Sequence, residues 1–106
     1  MLWDIIAFHY YQIMIASFHD EPTTSIWEGR FTRKLPNQIQ AIARRKLRML
    51  NAVQRLEDLR IPPANHLEAL SGDRAGQHSI RINDQWRLCF IWNQGQAERV
   101  EICDYH

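Results

Sequence analysis

The chain ends Asp104-Tyr105-His106, and two guanidinium groups, Arg81 and Arg87, precede this tripeptide in strand-like runs. A carboxylate, a phenol, an imidazole and two arginines can act together on a phosphodiester. Cleavage of RNA calls for a base to take the 2′-hydroxyl proton and an acid to protonate the leaving 5′-oxygen. It also calls for cations to hold the charge of the phosphorane. Histidine titrates near neutrality and can fill either proton-transfer role. Arginine fits the third, because its planar fork meets phosphate with two parallel bonds. No step of this chemistry requires a metal or an organic cofactor. Ordinary roles compete with it: a packing tyrosine near a strand end, a frayed terminal histidine, and an Arg87 paired with Glu101 across a sheet.

Those residues need a sheet to hold them. From Gly72 to His106 the sequence alternates apolar and polar residues, which marks strands with one buried face. The alternation predicts strands over Gln77–Ile82, Gln85–Trp92 and Glu98–Tyr105, joined by turns at Asn83-Asp84 and Asn93-Gln94-Gly95-Gln96. His78, Ile80, Ile82, Trp86, Leu88, Phe90, Trp92, Val100 and Ile102 take the core face. Arg81, Arg87, Cys89, Arg99, Glu101, Cys103 and Tyr105 take the other, which is left to meet something else.

Upstream, Ile15–Phe18 reads as a short first strand. Asp20-Glu21-Pro22-Thr23 has the chemistry of a helix start, and the helix runs through Ile26 and Trp27 toward Phe31, with Gly29 weakening its end. A second helix is predicted over Asn37–Leu59, free of internal Gly or Pro. Its Ile39, Ala43, Leu47, Leu50, Val53 and Leu56 form one apolar sector. Arg44, Arg48 and Arg55 gather opposite that sector, either as a solvated face or as a stripe for RNA or an acidic partner. Ile61-Pro62-Pro63 stops the helix, and His66–Leu70 supplies a further strand. The expected architecture is α+β, with two N-terminal helices on the apolar face of a mainly antiparallel, four- to five-stranded sheet.

At 106 residues the chain fits one domain. A formal net charge of +1 does not by itself announce a nucleic-acid binder. All but Lys34 and Lys46 of the 13 basic residues are arginines, however, a bias that suits phosphate and also follows from a G+C-rich genome. Cys89 and Cys103 lack metal-ligand spacing and read as reduced, buried thiols of a cytoplasmic protein. Residues 1–13 are apolar and aromatic but too short to span a membrane, and they lack the parts of a signal peptide. They read as an extension or a start-site artefact ahead of a domain that begins at Met14.

Three segments carry a family resemblance: MIASF at 14–18, PPANHLEALSGDRAGQHSIRINDQWRLCF at 62–90, and EICDYH at 101–106. Residues 14–106 resemble the HigB-type host-inhibition-of-growth toxins of the RelE-like superfamily. The resemblance implies a RelE-like fold and a ribosome-dependent endoribonuclease that cuts messenger RNA in the ribosomal A site. It implies a helix-turn-helix antitoxin of the HigA type, with operator DNA bound only through the antitoxin complex, and no membrane.

Residue by residue, the resemblance makes Arg87 a phosphate and transition-state ligand. Tyr105 would stack on or orient a base, His106 would transfer the proton, and Asp104 would complete the terminal set. Gln85 keeps an amide where relatives often have Asn. Glu68 stands where some members have His, and Ser71 where they have Lys. Glu68 is then the candidate base, although a carboxylate of ordinary pKa, about 4.3, is a weaker base at neutral pH than an imidazole. Arg81, Gln85, Arg74 and Arg48 are the expected RNA contacts, and Asp73, with Arg74, either holds a turn or contacts RNA. Two readings compete with the nuclease: a weakly active or non-cleaving member that binds ribosome or antitoxin, and a small domain whose polar face binds protein alone.

Overall fold

A computed structural model describes residues 14–104. The proposed extension at 1–13 and the predicted site residues Tyr105 and His106 lie outside the described residues.

The first helix, α1, spans Glu21–Trp27. Asp20 caps it, its side chain accepting from Thr23 N at 3.0 Å, and Pro22 occupies the first turn. The expected helix start is therefore found. The helix stops at Trp27, ahead of a left-handed Gly29 (φ 81°), and Phe31 is left exposed.

The second helix, α2, spans Asn37–Ala52, shorter than the predicted Asn37–Leu59. Val53 is extended, and a 3₁₀ turn follows over Leu56–Arg60. Two tertiary demands end the helix early. Asn51 Oδ1 accepts from Met14 N and Ile15 N, each at 3.1 Å, and so fastens the N-terminal segment to the helix end. The turn also brings Leu59 into the core, where it is fully buried. Arg55 therefore lies off α2, and the expected stripe of Arg44, Arg48 and Arg55 is broken. Arg44 folds back instead, its guanidinium lying 2.9 Å from where a Cβ on Gly29 would stand.

Four antiparallel strands follow: β1 (Glu68–Ala69), β2 (His78–Arg81), β3 (Trp86–Asn93) and β4 (Gln96–Asp104), in the order β1-β2-β3-β4. The predicted strand over 66–70 is reduced to two residues plus a bond from Leu70 N to Gln77 O. Gln94 and Gly95 take φ of 51° and 81° between the paired Asn93 and Gln96, which suits a two-residue hairpin turn. The Asn83 turn is wider. Its side chain accepts from Gln85 N and Trp86 N at 2.9 and 2.7 Å.

Alternation breaks once, within β4. Cys89 faces Glu101 but Ile91 faces Glu98, so β4 carries an extra residue, and Arg99 adopts φ 51° there. Residues 15–18 run parallel to β4 as two isolated bridges, Ile15 to Ala97 and Phe18 to Val100, rather than as a fifth strand. The bulge lies between those bridges and interrupts the ladder. Val100 N still donates to Ser17 O, and Ile102 N donates to Thr23 Oγ1. The outer edge of β4 is thus occupied.

One apolar cluster joins Ile26, Ile39, Ala43, Leu47 and Leu50 of the helices to Ile80, Leu88, Phe90, Val100 and Ile102 of the sheet. These sheet residues share the core parity expected for them. On the opposite face, Leu70, Cys89 and Cys103 form a second, smaller cluster. That face is consequently not open at its centre. Cys89 and Cys103 are joined as a disulfide across β3 and β4, with Cα atoms 6.8 Å apart, which corrects the expectation of two reduced thiols. The register explains the meeting. Cys103 pairs with Arg87 and Glu101 with Cys89, so the two cysteines are diagonal neighbours on one face. Among the described residues no helix is long and apolar enough to cross a membrane.

Candidate active site

Arg87 is the anchor of the non-core face. Register sets its surroundings: Glu68 pairs with Ser79, Ser79 with Cys89, and Arg81 with Arg87. Strands β1, β2 and β3 therefore deliver Glu68, Ser79 and Arg87 to the same side. Arg87 Nε donates to Ser79 Oγ at 2.7 Å, and Nη2 donates to the His66 carbonyl at 2.6 Å. Nη1 stands 3.8 Å from Glu68 Oε1. The Arg87 side chain is 9% exposed and that of Glu68 48%. The guanidinium is thus held by two bonds from within, and its third arm meets a half-exposed carboxylate. The expectation that Arg87 could pair with Glu101 is corrected. Glu101 instead takes Arg74 Nη1 at 3.1 Å, because it lies one pair further along β4, beside Cys89.

Cations gather beside Arg87. Arg81 lies directly across from it in β2 and bonds to Asp84. Like charges opposed on a ladder repel, and Asp84 offsets that repulsion. Lys46 of α2 feels the charge of Arg81. Its pKa is held below the usual 10.5 by burial, and further by the nearby charges of Arg45 and Arg81. Lys46 Nζ donates to Asn65 Oδ1 at 2.6 Å.

The other expected residues are distributed unevenly. Asp104 is exposed and accepts from Gln85 Nε2 at 2.9 Å, so these two meet near the end of β4. Asp104 pairs with Trp86 and so shares its parity rather than that of Arg87. Arg74 is committed to Gln77 and Glu101. Asp73 is exposed in the 3₁₀ turn Gly72–Arg74. Arg48 is exposed on α2, and among the described residues no bond ties it to Arg87. Arg81 and Glu68 are therefore brought to Arg87, Gln85 and Asp104 form a separate pair, and Arg74 and Arg48 lie apart.

Four contributors were not foreseen: Lys46, Asn65, the His66 carbonyl and the Ser79 hydroxyl. Asn65 carried a faint signal, since a short amide beside Pro62-Pro63 commonly bonds nearby backbone. Lys46 carried none, being one cation among many on a helix.

The chain matches the family model described as RelE-like toxin of type II toxin-antitoxin system HigB, over residues 16–106. It belongs to the HigB family of RelE-like toxins. It is similar to Toxin HigB-1 of Vibrio cholerae serotype O1, with 48% identity over 85 residues, covering 79% of this chain and 90% of that protein. It is also 37% identical over 69 residues to an uncharacterized protein of Haemophilus influenzae, covering 65% and 68% of the two chains. Among solved structures, the YoeB-YefM complex from Staphylococcus aureus contains a chain of similar fold. That match has a TM-score of 0.50 and 18% identity, over 87% of this chain and 97% of that one. This HigB-family chain is thus a toxin of a type II toxin–antitoxin system, built on two helices and a four-stranded antiparallel sheet.

Proposed function

We propose that this toxin is a ribosome-dependent, metal-independent endoribonuclease that cuts messenger RNA under translation. The observation that carries the proposal is the Arg87 guanidinium. It is fixed by Ser79 Oγ and the His66 carbonyl, with Arg81 opposite and Glu68 at its third arm. A cation held this way is oriented before substrate arrives, so it loses little freedom when a phosphate replaces water or Glu68 around it. Arg81 adds a second positive charge on the same face. The scissile phosphate would sit against Arg87, near Glu68.

Proton transfer falls to Glu68 and His106. One takes the 2′-hydroxyl proton as that oxygen attacks phosphorus, and the other returns a proton to the departing 5′-oxygen. Tyr105 would stack on a base, and the Gln85–Asp104 pair would steady the start of the terminal segment. In this reading Arg74 and Arg48 contact RNA away from the reacting phosphate. The ribosome supplies the message in place. A HigA-type, helix-turn-helix antitoxin would neutralise the toxin, and operator DNA would be reached through that complex. Membership of a family described as toxins of a type II toxin-antitoxin system supports an antitoxin partner.

A second reading, a member that binds the ribosome or antitoxin without efficient cleavage, has one specific observation in its favour. By the family resemblance, Glu68 and Ser71 stand where some members have His and Lys, which would remove a neutral base and a cation. Primer extension on messages from cells expressing the chain separates the two. Cuts inside translated codons support the nuclease. Growth arrest with intact messages supports the binding-only reading.

A further inference from the structure

We propose that Lys46 and Asn65 are positioning residues for Arg87, acting together to hold the His66 carbonyl against one arm of its guanidinium. The inference rests on the reading of Arg87 as the phosphate ligand, and adds how the free protein keeps that ligand aimed. Asn65 is fully buried, and both ends of its amide are engaged. Its Oδ1 accepts from Lys46 Nζ at 2.6 Å, and its Nδ2 donates to the Leu59 carbonyl at 3.1 Å. Its backbone N–H closes a turn onto Pro62 O at 2.9 Å. Side chain and backbone of Asn65 together therefore tie α2, the 3₁₀ turn after it and the Pro62-Pro63 corner at one point.

His66 comes next, and its backbone is left-handed, with φ 44° and ψ 60°. A residue with a Cβ takes that conformation at a cost and keeps it only where neighbours impose it. Here it aims the His66 carbonyl at Arg87 Nη2, 2.6 Å away. An unbroken path of contacts thus leads from α2, through Lys46, Asn65 and His66, to Arg87 on β3.

The chemistry of Lys46 suits this role. Its ammonium is half-buried, with Arg45 and Arg81 near. An ammonium placed among other cations needs an acceptor, and the amide oxygen of Asn65 provides one without adding negative charge beside the RNA phosphate. An aspartate at position 65 would compete for the cations that the substrate needs.

The test uses the full chain with Lys46→Met and Lys46→Arg, and with Lys46→Gln as a second loss-of-charge variant should the first not fold. Two readouts are needed. Nitrogen-detected NMR of the Arg87 guanidinium reports hindered rotation about its Nε–Cζ bond, with separate Nη signals while both internal bonds hold. Ribosome-dependent cleavage of a defined message reports kcat and KM separately. The inference predicts that Lys46→Met merges the Arg87 Nη signals. It should also lower kcat about tenfold or more, as misplacing a charge-binding group does. KM should stay unchanged and the protein folded, with a melting midpoint lowered by the unpaired Asn65 oxygen, and Lys46→Arg should restore both readouts. Unchanged Arg87 signals in a folded Lys46→Met protein would overturn it. So would a rise in KM alone, which would make Lys46 a direct RNA contact. If the wild-type chain does not cut, the nuclease reading fails, and the Arg87 signals still decide the positioning claim.

Discussion

Arg87 shows how much a single side chain depends on partners distant in sequence. Alternation along β3 placed it on the non-core face, and that placement is found. Glu68 was expected in the same site from the family resemblance, but the Ser79 hydroxyl and the His66 carbonyl were not legible as its partners, because they reach it only through strand register and a left-handed corner. The burial of a charged residue on the face expected to be open was also hidden. Around its guanidinium stand Ser79, the His66 carbonyl and Glu68, while Leu70, Cys89 and Cys103 form a buried cluster on the same face. Replacing Arg87 with Ala leaves the Ser79 hydroxyl and the His66 carbonyl without this donor, at a cost of about 1–3 kcal/mol. The protein is expected to stay folded by circular dichroism while growth arrest on expression is lost. Arg87→Lys is expected to fail as well, since an ammonium cannot bond in the three directions that the fork serves.

Glu68→Gln is expected to slow cleavage by about 10²-fold, the scale of a lost acid–base group, with little change in melting. Glu68→His, which installs an imidazole, is expected to keep activity. Equal activity in Glu68→Gln would remove Glu68 from proton transfer. Lys46 gives a pH signature. Its folded pKa lies below the ordinary 10.5, so the folded chain binds this proton less readily than the unfolded chain. Stability should therefore rise as pH climbs from the lowered value toward 10.5. Urea titrations across that window should show a shallower rise in Lys46→Met than in the wild type.

Elements were legible where local chemistry decides them and illegible where distant contacts do. Asp20, Pro22 and a first-turn Glu21 announce α1, and the cap is present. Asp20→Ala should cost about 1 kcal/mol in a urea midpoint series, the usual value of a lost N-cap. The end of α2 could not be read, because residues 53–59 have good helix propensity. The Asn51 amide is needed by Met14 and Ile15, and Leu59 is needed in the core, so tertiary contacts override propensity. The bulge at Arg99 was hidden for a related reason. An alternating pattern looks regular until Ala97 and Val100 are both found buried three positions apart. These two misreadings removed the expected arginine stripe and the expected fifth strand.

At the scale of the whole molecule, one side of the sheet builds the core with both helices, and the other carries Arg87 in a setting of cations. The smaller cluster of Leu70, Cys89 and Cys103 buries part of this second face. Membership of the HigB family fixes the biological setting as a type II toxin, and under the proposed function Arg87 and Arg81 would hold a phosphodiester. The central claim is tested most directly with purified toxin added to ribosomes translating a defined message, followed by primer extension. The wild-type chain should produce cuts within codons that depend on translation, and folded Arg87→Ala should produce none. Cleavage by Arg87→Ala at the wild-type rate would contradict the account.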